Sequence, residues 1–237
     1  MRGKGKKKRQ FQAYPNCYSA PPQGCAGRWF EIFGREAPLM IELGAGRCDF
    51  SLGYTAQFPD WNVLAIDLKS ERLWAGGRRA LERGLDNVRF LRLNIEELTE
   101  VFAPGEVNKI WITFPDPYPR KKHAKRRMTG PMFQERYRKV IEHNGTLNLK
   151  TDDEPMARFS LRSVTLAPKS EVIQYTNDLH GSPLVTNENS IMTFYENKWI
   201  EERQATMKYL QWRLFPLTED DEPIRDKDML KQVLYMR

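Results

Sequence analysis

The 237-residue sequence predicts an α/β protein with a doubly wound, mostly parallel sheet and an antiparallel edge. Three observations lead there. Short apolar runs alternate with helix-like stretches from residue 39 onward, the pattern of βαβ units. Several of these runs end in glycine or in a polar or acidic residue, at the strand ends where open α/β sheets bind ligands. Hydrophobic residues make up 40% of the chain and aromatics 11%, enough for a sizeable core.

Residues 1–27 read as a basic, flexible arm: Pro15, Pro21, Pro22, Gly24 and Gly27 are a composition expected to build neither a helix nor a long strand. Residues 28–237 read as one domain. Leu39–Leu43 is the first strand and ends in Gly44-Ala45-Gly46, with a helix over Asp49–Gln57. Asn62–Ile66 is the second strand, ending at Asp67, and Ser70–Arg83 a helix with Ser70 as N-cap. Strands follow at Asn87–Leu93, Val107–Phe114 and Gly145–Thr151. Glu171–Asn177 and Ile191–Ile200 read as an antiparallel edge pair, and Glu219–Asp228 as an acidic surface loop.

Function classes narrow next. No apolar run approaches the roughly 20 residues of a membrane span. No apolar stretch follows the basic start, so it does not read as a secretory signal. Cys17, Cys25 and Cys48 are too few and too irregular for a disulfide scaffold or a zinc ribbon, which points to a reducing cytoplasm. Two basic clusters stand out, Arg2–Arg9 and Arg120–Arg127, each with six positive charges. Removing both from the net +7 leaves −5, so two cationic patches sit on a mildly acidic body. That pattern suits a polyanion partner; a solvated tail or a localisation signal is the other reading of the first cluster.

The strand ends suggest a pocket. Gly44 and Gly46 let the backbone turn and approach a ligand, but Asp49 stands where a dinucleotide fingerprint needs its third glycine. Asp67, about twenty residues on, suits a ribose diol, and Asn94 offers an amide for an adenine edge. With Glu42 adding negative charge, the cofactor should be poor in phosphate, and S-adenosylmethionine fits. The fourth strand runs into Phe114-Pro115-Asp116-Pro117-Tyr118-Pro119, a stiff loop that holds Asp116 between prolines. The basic cluster follows at once, an arrangement suited to holding a nucleic-acid backbone while a carboxylate meets the base.

The stretch Phe114 to Thr129 closely resembles the signature of the bacterial-type tRNA (guanine-N7-)-methyltransferases, which have a Rossmann-like, class I methyltransferase fold. Glu42-Leu-Gly-Ala-Gly is similar to that family's first cofactor motif, Lys150-Thr151-Asp152 to its K-T-D motif, and Thr193-Phe194-Tyr195-Glu196 to its T-x-Y-E motif. The resemblance covers about Pro38 to Ile200. It implies that Glu42, Gly44, Gly46, Asp67, Asn94 and Asp116 line the S-adenosylmethionine site. It makes Asp116 the residue nearest catalysis and gives tRNA contacts to Arg120, Asp152, Thr193 and Glu196. It implies no metal, and by analogy it points to guanosine 46 of the tRNA variable loop.

Four positions depart from the family pattern: Cys48 for glycine, Asp67 for glutamate, Tyr118 for tryptophan and Arg120 for lysine. Asp152 also reads as a helix N-cap, and Thr193 and Glu196 as edge-strand surface residues. Guanine selection is open between Asp116 and Asp152. The rivals are a non-catalytic RNA-binding protein, a nicotinamide-dependent oxidoreductase and a methyltransferase for another base or amine. The intact acidic and amide set opposes the first. The missing third glycine and the basic run oppose the second, and the specificity of the central motif opposes the third.

Overall fold

Leu39–Leu43 and Asn62–Asp67 are buried at every position, so helices must cover both faces of the strands they form. The computed structural model describes residues 2–218, 221 and 226–235. In chain order the elements are α1 (Arg2–Ala13), β1 (Cys17–Tyr18), α2 (Trp29–Phe33), β2 (Leu39–Leu43), α3 (Asp49–Gln57), β3 (Asn62–Asp67), α4 (Ser70–Glu82), β4 (Val88–Arg92), α5 (Leu98–Val101), β5 (Val107–Thr113), α6 (Pro131–Val140), β6 (Ile141–Thr151), α7 (Glu154–Leu166), β7 (Ser170–Thr176), α8 (Phe194–Arg203), β8 (Lys208–Leu214) and α9 (Asp226–Tyr235). Short 3-10 turns cover Ile95–Glu97 and Lys121–Arg126.

The eight strands form one sheet in the order β1-β4-β3-β2-β5-β6-β8-β7. All pairs from β1 to β6 are parallel; β8 runs antiparallel to both β6 and β7. The chain winds outward from β2 through β3 to β4, then returns to the other side of β2 with β5. The order therefore reverses between β2 and β5, the place where open α/β sheets bind ligands. Alternate residues divide the core between the two faces. Ile41, Ile66, Ile112 and Leu149 pack with Trp29 of α2, Tyr137 of α6 and Val164 of α7. Met40, Ala65, Phe90 and Trp111 pack with Phe11 of α1, Phe50 of α3 and Leu73 of α4.

The structure corrects the sequence reading at four places. Residues 1–27 were expected to lack a helix, yet α1 packs on α4 and β1 extends the sheet beside β4. Phe11 is fully buried there, and the Lys7 ammonium lies 5.0 Å from the Trp74 ring centroid, so tertiary packing holds a short basic helix. Ile191–Ile200 is not a strand: Thr193 and Glu196 form a reciprocal capping box that starts α8. The partner of β7 is β8, a strand the sequence reading did not single out. Lys69 occupies the N-cap position of α4, which makes Ser70 its first helical residue. Of the acidic segment, Glu219, Asp220 and Glu222 lie outside the described residues, and Asp226 begins α9. No helix among the described residues is long and apolar enough to cross a membrane.

Helix α4 holds Gly76 and Gly77 in its interior, at a propensity cost of about 1 kcal/mol each. Close packing explains them. A Cβ on Gly76 would lie 2.6 Å from Cys48 Cβ and 2.7 Å from the Phe90 ring, and one on Gly77 would collide with Cys17 Sγ. Gly76→Ala is expected to lower stability by about 1–3 kcal/mol through overpacking, read as a fall in the urea midpoint. Cys48→Gly in that background should recover part of the loss.

Candidate active site

Glu42 lies on β2 at the reversal point, with its side chain on the α3 face. Its Oε2 accepts from the Ser51 amide at 3.0 Å and from the Ser51 hydroxyl, and its Oε1 accepts from Thr113 Oγ1 of β5 at 2.6 Å. The carboxylate thus satisfies an otherwise orphaned amide in the first turn of α3 and ties β2, α3 and β5 together. It is 1% exposed, so it underlies the glycine turn rather than facing open solvent. Burial pushes its pKa up to about 7, with the Ser51 and Thr113 hydrogen bonds pulling the other way.

The turn above it needs unusual backbone. Gly44, Gly46 and Cys48 all have positive φ, at 73°, 54° and 61°. The two glycines adopt this freely, whereas Cys48 is a non-glycine exception, seated fully buried against Gly76. Asp67, at the end of β3, accepts from the Gly46 amide at 3.0 Å with one oxygen and from the Lys69 amide at 2.8 Å with the other. Each oxygen keeps a second lone pair for a diol. Asn94 uses its side-chain oxygen to cap the turn at Glu96, 3.2 Å away, which leaves its NH2 group pointing elsewhere with no partner among the described residues. Glycine backbone, diol-type acceptor and amide donor therefore stand together at the C-terminal edge of β2, β3 and β4, a donor set that fits an adenosine-bearing cofactor.

The proline loop closes the other side of the reversal point. Phe114 and Tyr118 both have positive φ, 50° and 43°, costly for aromatic residues and held by their surroundings. Arg127 is the main restraint. Its Nε donates to the Pro117 carbonyl at 3.0 Å and its Nη2 to the Tyr118 carbonyl at 3.1 Å, while its guanidinium lies 4.3 Å from the Phe159 ring centroid. Sequence reading placed Arg127 in the polyanion-binding cluster; at 8% exposure it is a strut inside the loop. Asp116 is exposed between Pro115 and Pro117, without a hydrogen-bond partner among the described residues. Arg120 is also exposed, at the start of the Lys121–Arg126 turn, and Tyr118 packs edge-on to His123.

The remaining expected residues divide. Asp152 is half-buried, and burial raises its pKa. It is not the cap of α7; Asp153 is, accepting from the Met156 amide at 2.7 Å. Thr193 and Glu196 are internal. Glu196 is 0% exposed and lies 2.7 Å from the equally buried Lys150 ammonium and 2.9 Å from His180 Nε2. Lys150 also donates to the carbonyls of Asn189 and Ile191. This cluster fixes α8, whose first turn exposes Phe194 and Tyr195. The Phe194 amide donates to Asp49 at 3.3 Å, and the Arg47 guanidinium lies 4.5 Å from its ring centroid, so α8 is joined to the glycine turn. Sequence reasoning gave no role to Lys150, His180 or Ser51, because their partners lie 46, 16 and 9 residues away, beyond any local spacing rule.

Two outcomes follow. Because folded Glu42 holds its proton more tightly than the unfolded chain, its contribution to stability is complete below about pH 4.5 and is lost as pH rises through about 7. Stability of Glu42→Gln relative to the parent should therefore rise by about 3 kcal/mol across that window, read from urea midpoints at each pH. Arg127→Ala should leave cofactor affinity near that of the parent while lowering turnover at least about tenfold, since it frees the loop that positions Asp116.

Comparison with known proteins identifies the family and the fold. The sequence profile of a family described as "Putative methyltransferase" matches residues 36–209. A tRNA (guanine-N(7)-)-methyltransferase of Bacteroides thetaiotaomicron is 39% identical over 210 residues, covering 85% of this chain and 82% of its own length. Among solved structures, the 16S rRNA methyltransferase KamB superposes with a TM-score of 0.60 at 13% identity, over 84% of this chain and 99% of that one. A 16S rRNA (adenine(1408)-N(1))-methyltransferase from Catenulisporales acidiphilia, solved with S-adenosylmethionine, gives 0.51 at 14% identity, over 83% and 93%. These share the class I methyltransferase architecture. By sequence along most of its length, this chain belongs to the tRNA (guanine-N(7)-)-methyltransferase family.

Proposed function

We propose that the protein transfers the methyl group of S-adenosylmethionine to N7 of a guanine in tRNA, with guanosine 46 of the variable loop as the target. The observation that carries this reading is the placement of Asp116. It is exposed, braced by prolines and by Arg127, and sits between the cofactor-type strand ends and the basic Arg120–Arg126 segment. Residues 28–237 carry the proposed catalytic residues, and residues 1–27, packed on α4 and β4, add basic surface. Buried, unpaired Cys17, Cys25 and Cys48 suit a reducing cytoplasm.

In this reading the Gly44–Gly46 turn allows close backbone approach, Asp67 holds the ribose and Asn94 the adenine. Glu42 supports the turn from below. When bound, S-adenosylmethionine supplies an electrophilic sulfonium methyl, whose bond to sulfur breaks as the bond to N7 forms. Guanine N7 carries an in-plane lone pair and no proton at neutral pH, so this chain need not supply a strong base. Its task is to hold the base in line and to offset the positive charge that develops on the ring. Asp116 and Asp152 are the carboxylates for these tasks: one accepting from guanine N1–H and the exocyclic amine, the other offsetting the charge that grows on the ring. Asp152 and the α8 turn at Thr193–Glu196 complete the base site, with Glu196 acting through α8, since no part of it is exposed. Arg120 and its basic neighbours hold backbone phosphates.

The test is methyl transfer from labelled S-adenosylmethionine to unmodified tRNA, with nucleoside analysis of the product. We expect 7-methylguanosine at position 46. Asp116→Ala should lower turnover at least about a hundredfold while cofactor affinity changes by less than about threefold. A different methylated nucleoside, or binding of both ligands without transfer, would refute the assignment.

A further inference from the structure

One surface joined to the site continues along α7, whose arginines have no part in the mechanism above. Between the proline loop, α7 and α9 runs a groove of about 430 Å³. It opens at Pro119, three residues from Asp116, and follows one face of α7 past Arg158, Phe159 and Arg162. Arg158 and Arg162 are four residues apart, about 6 Å along the helix, and lie on the same side of it. Lys121 and Arg127 form the opposite wall. Glu154, the only acidic residue among the described residues of the lining, is paired with Arg158 at 2.7 Å. Four cations against one carboxylate leave the groove strongly positive. Arg162 makes no ion pair among the described residues, although it stands in a protein with many carboxylates.

We propose that this groove binds the sugar–phosphate backbone of the RNA strand flanking the target guanosine, with Arg158 and Arg162 as phosphate contacts. The inference deepens the function proposed above and rests on it for the identity of the RNA. Charge complementarity chooses the occupant. Arg158 and Arg162 add outward positive charge to this wall beyond what Glu154 balances, and a surface of one sign attracts a polyanion. Continuity chooses the register: the groove starts where the exposed Arg120–Arg126 segment ends, so a strand whose base enters beside Asp116 has its next phosphates directed along α7. The length fits. Pro155 to Arg162 spans about 10 Å of helix, room for about two successive phosphates of one strand. Phe159 and the α9 residues Val233 and Leu234 give a floor on which the sugars can rest.

The experiment compares the full-length protein with the Arg158→Ala/Arg162→Ala and Arg158→Lys/Arg162→Lys double variants. Affinity for unmodified tRNA is measured from 50 to 200 mM salt, and cofactor affinity by calorimetry. Both positions are on a helix surface and alanine is a strong helix former, so the fold should persist. The alanine variant should bind tRNA at least about tenfold more weakly at 150 mM salt, with its log–log salt slope shallower by about 1.5–2. The lysine variant should keep most of the slope, and cofactor affinity should be unchanged in both. An unchanged slope for the alanine variant would overturn the proposal, as would parallel loss of cofactor and tRNA affinity in both variants. So would a poly-glutamate peptide that bound the parent but not the alanine variant while the RNA slope stayed constant, since the groove would then serve an acidic protein. If the parent binds tRNA with the expected slope but makes no 7-methylguanosine, the functional assignment fails and the groove stands. If it methylates while the alanine variant keeps the parent slope, the reverse holds.

Discussion

The carboxylate of Glu42 is the interaction around which the site is organised. A parallel sheet whose strand order reverses leaves a crevice at the reversal, because the two crossover connections depart in opposite directions. Such a crevice needs its walls held at a fixed separation. Glu42 does this by accepting from α3 on one side and from β5 on the other, with both oxygens occupied. An apolar residue here would leave the Ser51 amide and hydroxyl and the Thr113 hydroxyl without partners in a buried position. The raised pKa is the consequence: burial disfavours the charge that the hydrogen bonds favour, and burial dominates.

A second buried charge system sits beside the first, with a different task. Lys150 at the end of β6 and Glu196 in the first turn of α8 are both fully buried and 2.7 Å apart. Removing one member of such a pair strands the other, which commonly costs 3–5 kcal/mol, so the pair fixes one position for α8 more than it adds stability. His180 and the carbonyls of Asn189 and Ile191 complete the coordination of the two groups. Through this cluster the helix that exposes Phe194 and Tyr195 is referred to the same sheet edge that presents Asp116. The Asp49 contact to the Phe194 amide links it to the glycine turn as well. The glycine turn and the first turn of α8 are therefore parts of one rigid frame.

The basic residues serve two purposes that their charge alone does not distinguish. Arg127 is half of a backbone clamp, and Lys7 packs on Trp74 to seat α1. Arg120 is exposed and Arg162 half-buried, neither with an ion pair among the described residues. A run of like charges in sequence is thus divided by the fold into struts and contacts, according to which side chains reach buried carbonyls or aromatic faces.

The strand pattern, the glycine turn and the proline-bounded Asp116 were legible in the sequence, because each depends on residues within a few positions of one another. Periodicity reports burial, glycine reports backbone freedom, and proline fixes φ wherever it stands. What lay beyond that reading were α1, α8 and β8, together with the roles of Lys150, Arg127 and Glu196. The T-x-x-E pattern at Thr193 was a local signal for a helix start, but the aromatic and branched residues after it favoured a strand. Composition likewise marked the N-terminal segment as an arm, although Phe11 finds a complete pocket on α4. The sequence by itself determined the parallel strands β2 to β6 and the glycine, acidic and amide residues at their ends. Only the tertiary structure decided which charges are buried and paired, since burial is set by contacts between segments far apart in the chain, and the energy of a charge depends on its surroundings more than on its residue type.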